Sequence, residues 1–312
     1  MASIGLEPPR RISDSLPMNR IITTCFGVFI LLGCVGHAQT GDDSGKRIPL
    51  WSGEAPVGDG KFEQANPMIT VYQPAIPNGT AMVICPGGGY GGLVVGPEGQ
   101  GIAKWLKTHG VTGIVLEYRL PAGRAYVPLL DAQRAIRTVR SNAKAWNIDP
   151  KRIGIIGFSA GGHLASTAAT HFDSGDPKSA DPIARESCRP DFAMLVYPVV
   201  TMGAKTHGGS KANLLGPNPT PALVDLFSNE KQISITTPPM FMAHAKDDNV
   251  VPADNSRDLH AALQAHHIAS EYLELPSGGH GLNGYSGPMW LAWQERSLAW
   301  LAEQKLVAPD AK

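Results

Sequence analysis

The sequence predicts an α/β chain built on a mostly parallel sheet with helices on both faces. Three observations carry this. Short apolar runs rich in β-branched residues alternate with amphipathic helical spacing from residue 80 to residue 304. One of these runs, Ile153-Gly154-Ile155-Ile156-Gly157-Phe158, passes straight into the turn Ser159-Ala160-Gly161 and then into the small-residue helical pattern of Leu164, Ala165, Ala168 and Ala169. Finally, the longest stretch dense in Gly, Pro, Ser and Asn, residues 201–238, comes late in the chain, where an insertion would lie above the strand ends.

The 312 residues, 43% of them hydrophobic, are enough for one large domain, and no internal repeat or linker divides residues 39–312. Lys plus Arg and Asp plus Glu both number 27, so there is no basic field to hold nucleic acid. A neutral substrate fits better. The four cysteines, Cys25, Cys34, Cys85 and Cys188, show neither Cys-x-x-Cys nor a Cys/His spacing suited to zinc, so no metal is expected.

Residues 1–38 are expected to be a signal peptide with an upstream extension. Arg20 precedes an apolar run over residues 21–32, and Gly36 and Ala38 are small residues suited to cleavage after Ala38. Leu31-Leu32-Gly33-Cys34 can instead be a lipoprotein box acylated at Cys34. The expectation is an exported, soluble protein, secreted or periplasmic, with membrane attachment only through Cys34. After cleavage Cys85 and Cys188 remain, expected as two separate buried thiols.

In chain order, residues 41–79 read as a polar lead-in with an early strand at 68–72, anchored by Trp51. Residues 80–85 read as a buried strand running into Pro86-Gly87-Gly88-Gly89-Tyr90. A helix is expected over 100–109, a strand over 111–118 and a long amphipathic helix over 126–146, ended by Asn147-Ile148-Asp149-Pro150. Beyond the serine turn, strands are expected at 191–200, 239–245 and 271–275, and helices at 254–266 and 289–304. Residues 201–238 are expected as loop around one short helix at 223–227.

The run at 153–163 reads as a nucleophile elbow, in which a serine stands exposed at a sharp strand-to-helix turn and the flanking glycines avoid collision with neighbouring backbone. Such a serine needs a base, a residue that orients the base, and donors for an oxyanion. Ser159, Asp248 and His280 stand in that order, each just beyond the end of an expected strand. Singly, each is ordinary: an acidic pair after a strand caps turns, and a Gly-flanked histidine is common. Their joint occurrence in order decides for a triad. Gly88 and Gly89, together with the N–H of Ala160, are the expected oxyanion donors, with Tyr90 an alternative. Tyr90 and His163 are expected to line the substrate site; His244 and the His266-His267 pair read as packing or surface residues, although His244 lies near enough to the site to line it.

The chain resembles the α/β-hydrolases, and within them secreted bacterial esterases similar to acetylxylan esterases and called xylanase B-like or feruloyl-esterase-like. The motifs that carry the resemblance are Pro86-Gly87-Gly88-Gly89-Tyr90, Glu117-Tyr118-Arg119-Leu120, Asp131-Ala132-Gln133-Arg134-Ala135, Gly157 to His163, Asp247 to Pro252, and Gly279-His280-Gly281. Pro86 departs from the lipase pattern, where a His opens the Gly run. The resemblance implies the α/β-hydrolase fold, a serine esterase acting on short acyl esters of xylan or a related carbohydrate, and no cofactor. It also selects Asp248 over Asp247, because related hydrolases place the orienting acid directly before an x-Val-Val-Pro turn. Rival readings are a feruloyl or general carboxylesterase, a prolyl-oligopeptidase-type peptidase, and a non-catalytic sugar-binding module. The peptidase type carries a large N-terminal gating domain, for which residues 39–79 leave little room, and a binding module has no need of all three triad residues.

Overall fold

β5 (Ile153–Phe158) runs through the middle of the sheet with all of its residues buried, because both faces of the sheet are covered. Ile153 and Ile155 pack into the layer on one face, Ile156 and Phe158 into the layer on the other. Burying each such side chain contributes about 2 kcal/mol, so the strand is clamped from two sides. Gly154 interrupts the run because a Cβ there would meet the Phe192 ring at 2.3 Å.

The computed structural model describes residues 45–56 and 66–307. The expected signal segment, with its Ala38 and Cys34 alternatives, lies outside them. Among the described residues one eight-stranded sheet has the order β1-β2-β4-β3-β5-β6-β7-β8. Here β1 is Lys46–Pro49, β2 Met68–Tyr72, β3 Ala81–Cys85, β4 Thr112–Glu117, β6 Phe192–Val196, β7 Met240–Ala245 and β8 Ser270–Leu275. β2 is antiparallel to both β1 and β4, and the pairs from β4 through β3, β5, β6 and β7 to β8 are parallel. Helices α1 (Gly101–Thr108) and α8 (Gly287–Glu303) cover one face; α2 (Tyr126–Ser141), α3 (Ala160–Thr170) and α6 (Asp254–Ala265) cover the other. Helices α4 (Gly208–Leu215) and α5 (Pro221–Leu226) follow β6, and α7 (Leu282–Tyr285) is a single irregular turn after β8.

Several sequence expectations shift. β1 has no apolar run, being mostly exposed, and is held by its ladder to β2 and by the Arg47–Glu117 ion pair at 2.9 Å. α2 stops at Ser141, five residues short of the expected end: Asn142 leaves helical geometry and its amide caps the Thr138 carbonyl. The segment 201–238 holds two helices, not one. α4 is hidden in the sequence by two glycines in its first turn, but His207 caps it by accepting the Ser210 N–H at 3.2 Å.

Two of the quoted motifs are joined by a buried ion pair, Arg119 with Asp131 at 2.8 Å, which Trp51 completes by donating its indole N–H to Asp131 at 3.2 Å. Removing either partner would cost about 3–5 kcal/mol. Cys85 and Cys188 are both buried and unbridged, and burial raises the thiol pKa of each. Among the described residues no helix is long and apolar enough to cross a membrane.

Candidate active site

Parallel strands β3, β5, β7 and β8 deliver their following loops to the same end of the sheet, and the candidate residues meet there. Ser159 sits at φ 53°, ψ −120°, a conformation that a non-glycine residue rarely adopts and that stores about 1–3 kcal/mol of strain. The turn is fixed by its neighbours. The Ser159 N–H donates to the Val196 carbonyl at 3.1 Å, and the Ser159 carbonyl accepts from Gly162 at 3.0 Å and Val199 at 2.9 Å. A Cβ at Gly157 would lie 2.0 Å from the Gly161 carbonyl, and one at Gly161 would lie 2.1 Å from the Cys85 carbonyl, so both positions exclude side chains. The serine is thereby held at the start of α3, where the helix dipole favours negative charge.

His280 lies between Gly279 (φ 58°) and Gly281 (φ 84°), left-handed positions that turn the loop after β8 back over the sheet. Its Nε2 is 2.9 Å from Ser159 Oγ and its Nδ1 is 2.8 Å from Asp248 Oδ2. The carboxylate can only accept, so Nδ1 carries the proton and Nε2 presents its lone pair to the serine. Asp248 Oδ1 accepts the N–H groups of Val250 and Val251, both at 2.9 Å. Burial alone would raise the Asp248 pKa, but hydrogen bonds from His244 and His280 hold it well below the ordinary carboxylate range.

Two neighbours were not read from the sequence as part of this chain of bonds. His244, expected as packing or surface, is fully buried, with Nε2 3.3 Å from Asp248 Oδ2 and 3.0 Å from the Val251 carbonyl, and Nδ1 2.8 Å from Ser256 Oγ. Since the Val251 carbonyl only accepts, Nε2 of His244 carries hydrogen and leans on the same oxygen that holds His280. Asp247 accepts the N–H groups of Gly279 at 2.9 Å and Gly278 at 3.3 Å, so it shapes the loop that carries His280.

On the other side of Ser159 runs the glycine loop. A Cβ on Gly87 would sit 2.9 Å from Ser159 Cβ, which places this backbone directly against the serine. The Gly87 N–H is already committed, donating to Glu98 Oε2 at 2.6 Å. The N–H groups of Gly88, Gly89 and Ala160 donate to no protein acceptor among the described residues, and Ala160 is the first residue of α3, where such groups are left over. Asn213 of α4 donates to the Gly89 carbonyl at 2.8 Å, and His207 Cε1 lies 3.8 Å from where a Gly89 Cβ would be. Burial and the nearby His280 lower the pKa of His207. Both residues escaped the sequence reading because α4 did.

Tyr90 and His163 do not line the site as expected. Both are buried, with the Tyr90 hydroxyl 2.9 Å from His163 Nδ1 and His163 Nε2 2.8 Å from the Phe227 carbonyl. His163 is buried in the layer beneath the loop, both of its ring nitrogens taken up by these two contacts. Burial lowers its pKa to about 4, and as a neutral ring it pins the glycine loop to α3.

This arrangement can deprotonate a serine hydroxyl, stabilise the imidazolium that results, and receive an oxyanion on backbone amides. Comparisons with known proteins agree with that chemistry. The BD-FAE family model matches residues 71–263. The chain is 39% identical over 217 residues to an endo-1,4-beta-xylanase B of Butyrivibrio fibrisolvens, covering 68% of this chain and 34% of that protein. It is 35% identical over 228 residues to an acetylxylan esterase of Xylanibacter ruminicola, covering 72% and 44%. It thus spans less than half the length of these curated relatives. Among solved structures, an acetyl ester-xyloside bifunctional hydrolase from Caldicellulosiruptor lactoaceticus superposes with a TM-score of 0.80 at 40% identity, over 85% of this chain and 98% of that one. An esterase from Thermogutta terrifontis, TM-score 0.69 at 22% identity over 86% and 97%, shares the fold.

Proposed function

The chain belongs to the BD-FAE family of α/β-hydrolases, and from that premise we propose that it is an exported serine esterase that removes acetyl groups from xylan or a related plant carbohydrate. The observation that carries this reading is the unbroken chain Ser159 Oγ to His280 at 2.9 Å and His280 to Asp248 at 2.8 Å, beside unengaged backbone amides. His280 takes the hydroxyl proton as Ser159 Oγ attacks the ester carbonyl, and Asp248 stabilises the imidazolium. The carbonyl oxygen gains its charge against the N–H groups of Gly88, Gly89 and Ala160. Collapse of the tetrahedral intermediate expels the sugar hydroxyl, which takes the proton from His280, and leaves an acetyl group on Ser159. Water, deprotonated by His280, then attacks the acetyl carbonyl, and collapse releases the acid as His280 returns the proton to Ser159 Oγ.

The acetyl and xylan assignments are supported by the relatives named as acetylxylan esterase and acetyl ester-xyloside hydrolase. Export rests on the layout of residues 1–38. A fluorophosphonate probe should label Ser159 and abolish acetate release from acetylated xylan. Nitrophenyl esters of graded length should show a specificity constant highest for acetyl and falling with length. A maximum at decanoyl or beyond would replace the carbohydrate reading with a lipase, and an unlabelled Ser159 would overturn the enzyme.

A further inference from the structure

Glu98 is 2% exposed, forms no ion pair with a Lys or Arg among the described residues, and takes no part in the chain of bonds from Ser159 to Asp248. It lies in a π-helical turn, Gly96–Gln100, directly before α1, a distortion that tends to occur at functional sites. Gly99 lets this turn sink onto the sheet: a Cβ there would already press on Val115 Cγ1 at 3.0 Å. The buried carboxyl then reaches two parts of the site. Oε2 accepts the Gly87 N–H at 2.6 Å, at the point where the glycine loop touches Ser159. Oε1 accepts the Tyr197 hydroxyl at 3.0 Å, and the Tyr197 ring stands edge-on to the His280 ring with centroids 4.9 Å apart. Tyr285, from the turn just after His280, lies near the same carboxyl, and burial together with that negative charge raises its pKa.

We propose that Glu98 is a positioning residue for ester cleavage, an ionised carboxylate that ties the oxyanion loop to the tyrosine backing the base, so that hole and base are set as one unit. The groups around it fit an ionised acid. The Gly87 N–H donates to one carboxyl oxygen and the Tyr197 hydroxyl to the other, so both oxygens act as acceptors. Burial opposes the charge and raises its pKa, while these hydrogen bonds and the nearby His280 act against that. Its negative charge favours the imidazolium that forms when Ser159 attacks. The other titratable groups facing His280 are Asp248, His207 and Tyr197, and Tyr118 and Tyr285 also face Glu98. None of these supplies a second carboxylate on the loop side.

The proposal rests on the esterase reading, and its test separates the two. Wild type, Glu98→Gln and Glu98→Ala are compared on nitrophenyl acetate for kcat, KM and the pH profile of kcat/KM, with circular dichroism and melting to establish folding. Glu98→Gln keeps an acceptor for Gly87 but removes the charge. Its kcat should fall roughly tenfold with KM within about threefold, and the acid limb of its profile should move down by a few tenths of a pH unit, since the imidazolium loses a stabilising charge. Glu98→Ala frees the loop as well, and its kcat should fall about a hundredfold. Folded variants with kcat within about twofold of wild type would overturn the proposal. So would a Glu98→Gln loss with an unmoved acid limb, which packing alone explains. If neither variant folds, Tyr197→Phe decides: it keeps the ring against His280 and should lower kcat about fivefold, and an unchanged kcat overturns the proposal. A wild-type chain that neither labels at Ser159 nor turns over would overturn both readings, whereas an active wild type with unaffected variants overturns this one alone.

Discussion

The two sides of Ser159 are built from different material. On one side stand side chains: His280 arrives from the loop after β8 and Asp248 and His244 from β7 and its end, and they are joined by bonds of 2.8 to 3.3 Å. On the other side runs backbone, the unengaged amides of Gly88, Gly89 and Ala160, with Gly87 packed directly against Ser159. The base side is specified by what residues are present. The hole side is specified by what is absent, so its geometry has to be imposed by residues remote in sequence, Glu98 from below and Asn213 from above.

Breaking the shared point should have the largest effect. Ser159→Ala removes the nucleophile from both sides and should lower kcat by at least about four orders of magnitude, leaving melting nearly unchanged. Activity within about tenfold of wild type would remove Ser159 from the chemistry. Next comes Asp248→Asn, which keeps the shape of the base side but offers Nδ1 of His280 a donor in place of an acceptor. The turnover number should fall by about three to four orders of magnitude. The same variant tests linkage. The folded-state pKa of Asp248 is held below its ordinary value of about 3.9, so its ionised form contributes stability that is present above that pH and is lost as pH falls below it. Melting temperatures of wild type should therefore drop between neutral pH and pH 3 by more than those of Asp248→Asn, and equal drops would contradict the depressed value.

How much of this was legible follows the same division. The main buried strands, the elbow and the convergence of Ser159, Asp248 and His280 could be read because each lies on a strong local pattern: a buried β-branched run, glycines with no room for a Cβ, a Gly-flanked histidine. β1 and α4 could not, because one is an exposed strand held by backbone bonds and the other begins with two glycines. Tyr90 and His163 were adjacent to the right motifs yet point into the core, since sequence distance from Ser159 does not give the direction of a side chain on α3. Glu98 left no local signal at all. An acid followed by glycine in a polar stretch reads as surface, and only the fold shows that the turn carrying it is buried.

A smaller effect is expected from the acid beside the triad. Asp247 holds the loop of His280 through the N–H groups of Gly278 and Gly279, yet it is exposed, and water can replace much of what it supplies. Asp247→Asn should lower kcat about three- to tenfold, measured beside Asp248→Asn on nitrophenyl acetate. If it proved the more damaging of the two, the base would be oriented by the wrong member of the pair.

The smallest effect should come from the hole side's upper support. Asn213 donates to the Gly89 carbonyl at 2.8 Å, a distance no worse than that from Gly87 to Glu98, so length alone would rank the two contacts alike. Exposure separates them. Asn213 faces solvent, and on its removal a water molecule can donate to the same carbonyl; Glu98 is buried, and nothing can replace it at the Gly87 amide. Asn213→Ala should therefore change kcat by no more than about threefold, with no shift of the acid limb, because no charge is lost. A fall of thirtyfold or more would mean that α4, and not the turn beneath the loop, sets the oxyanion amides, and the segment between β6 and β7 would then be part of the catalytic framework instead of a roof over it.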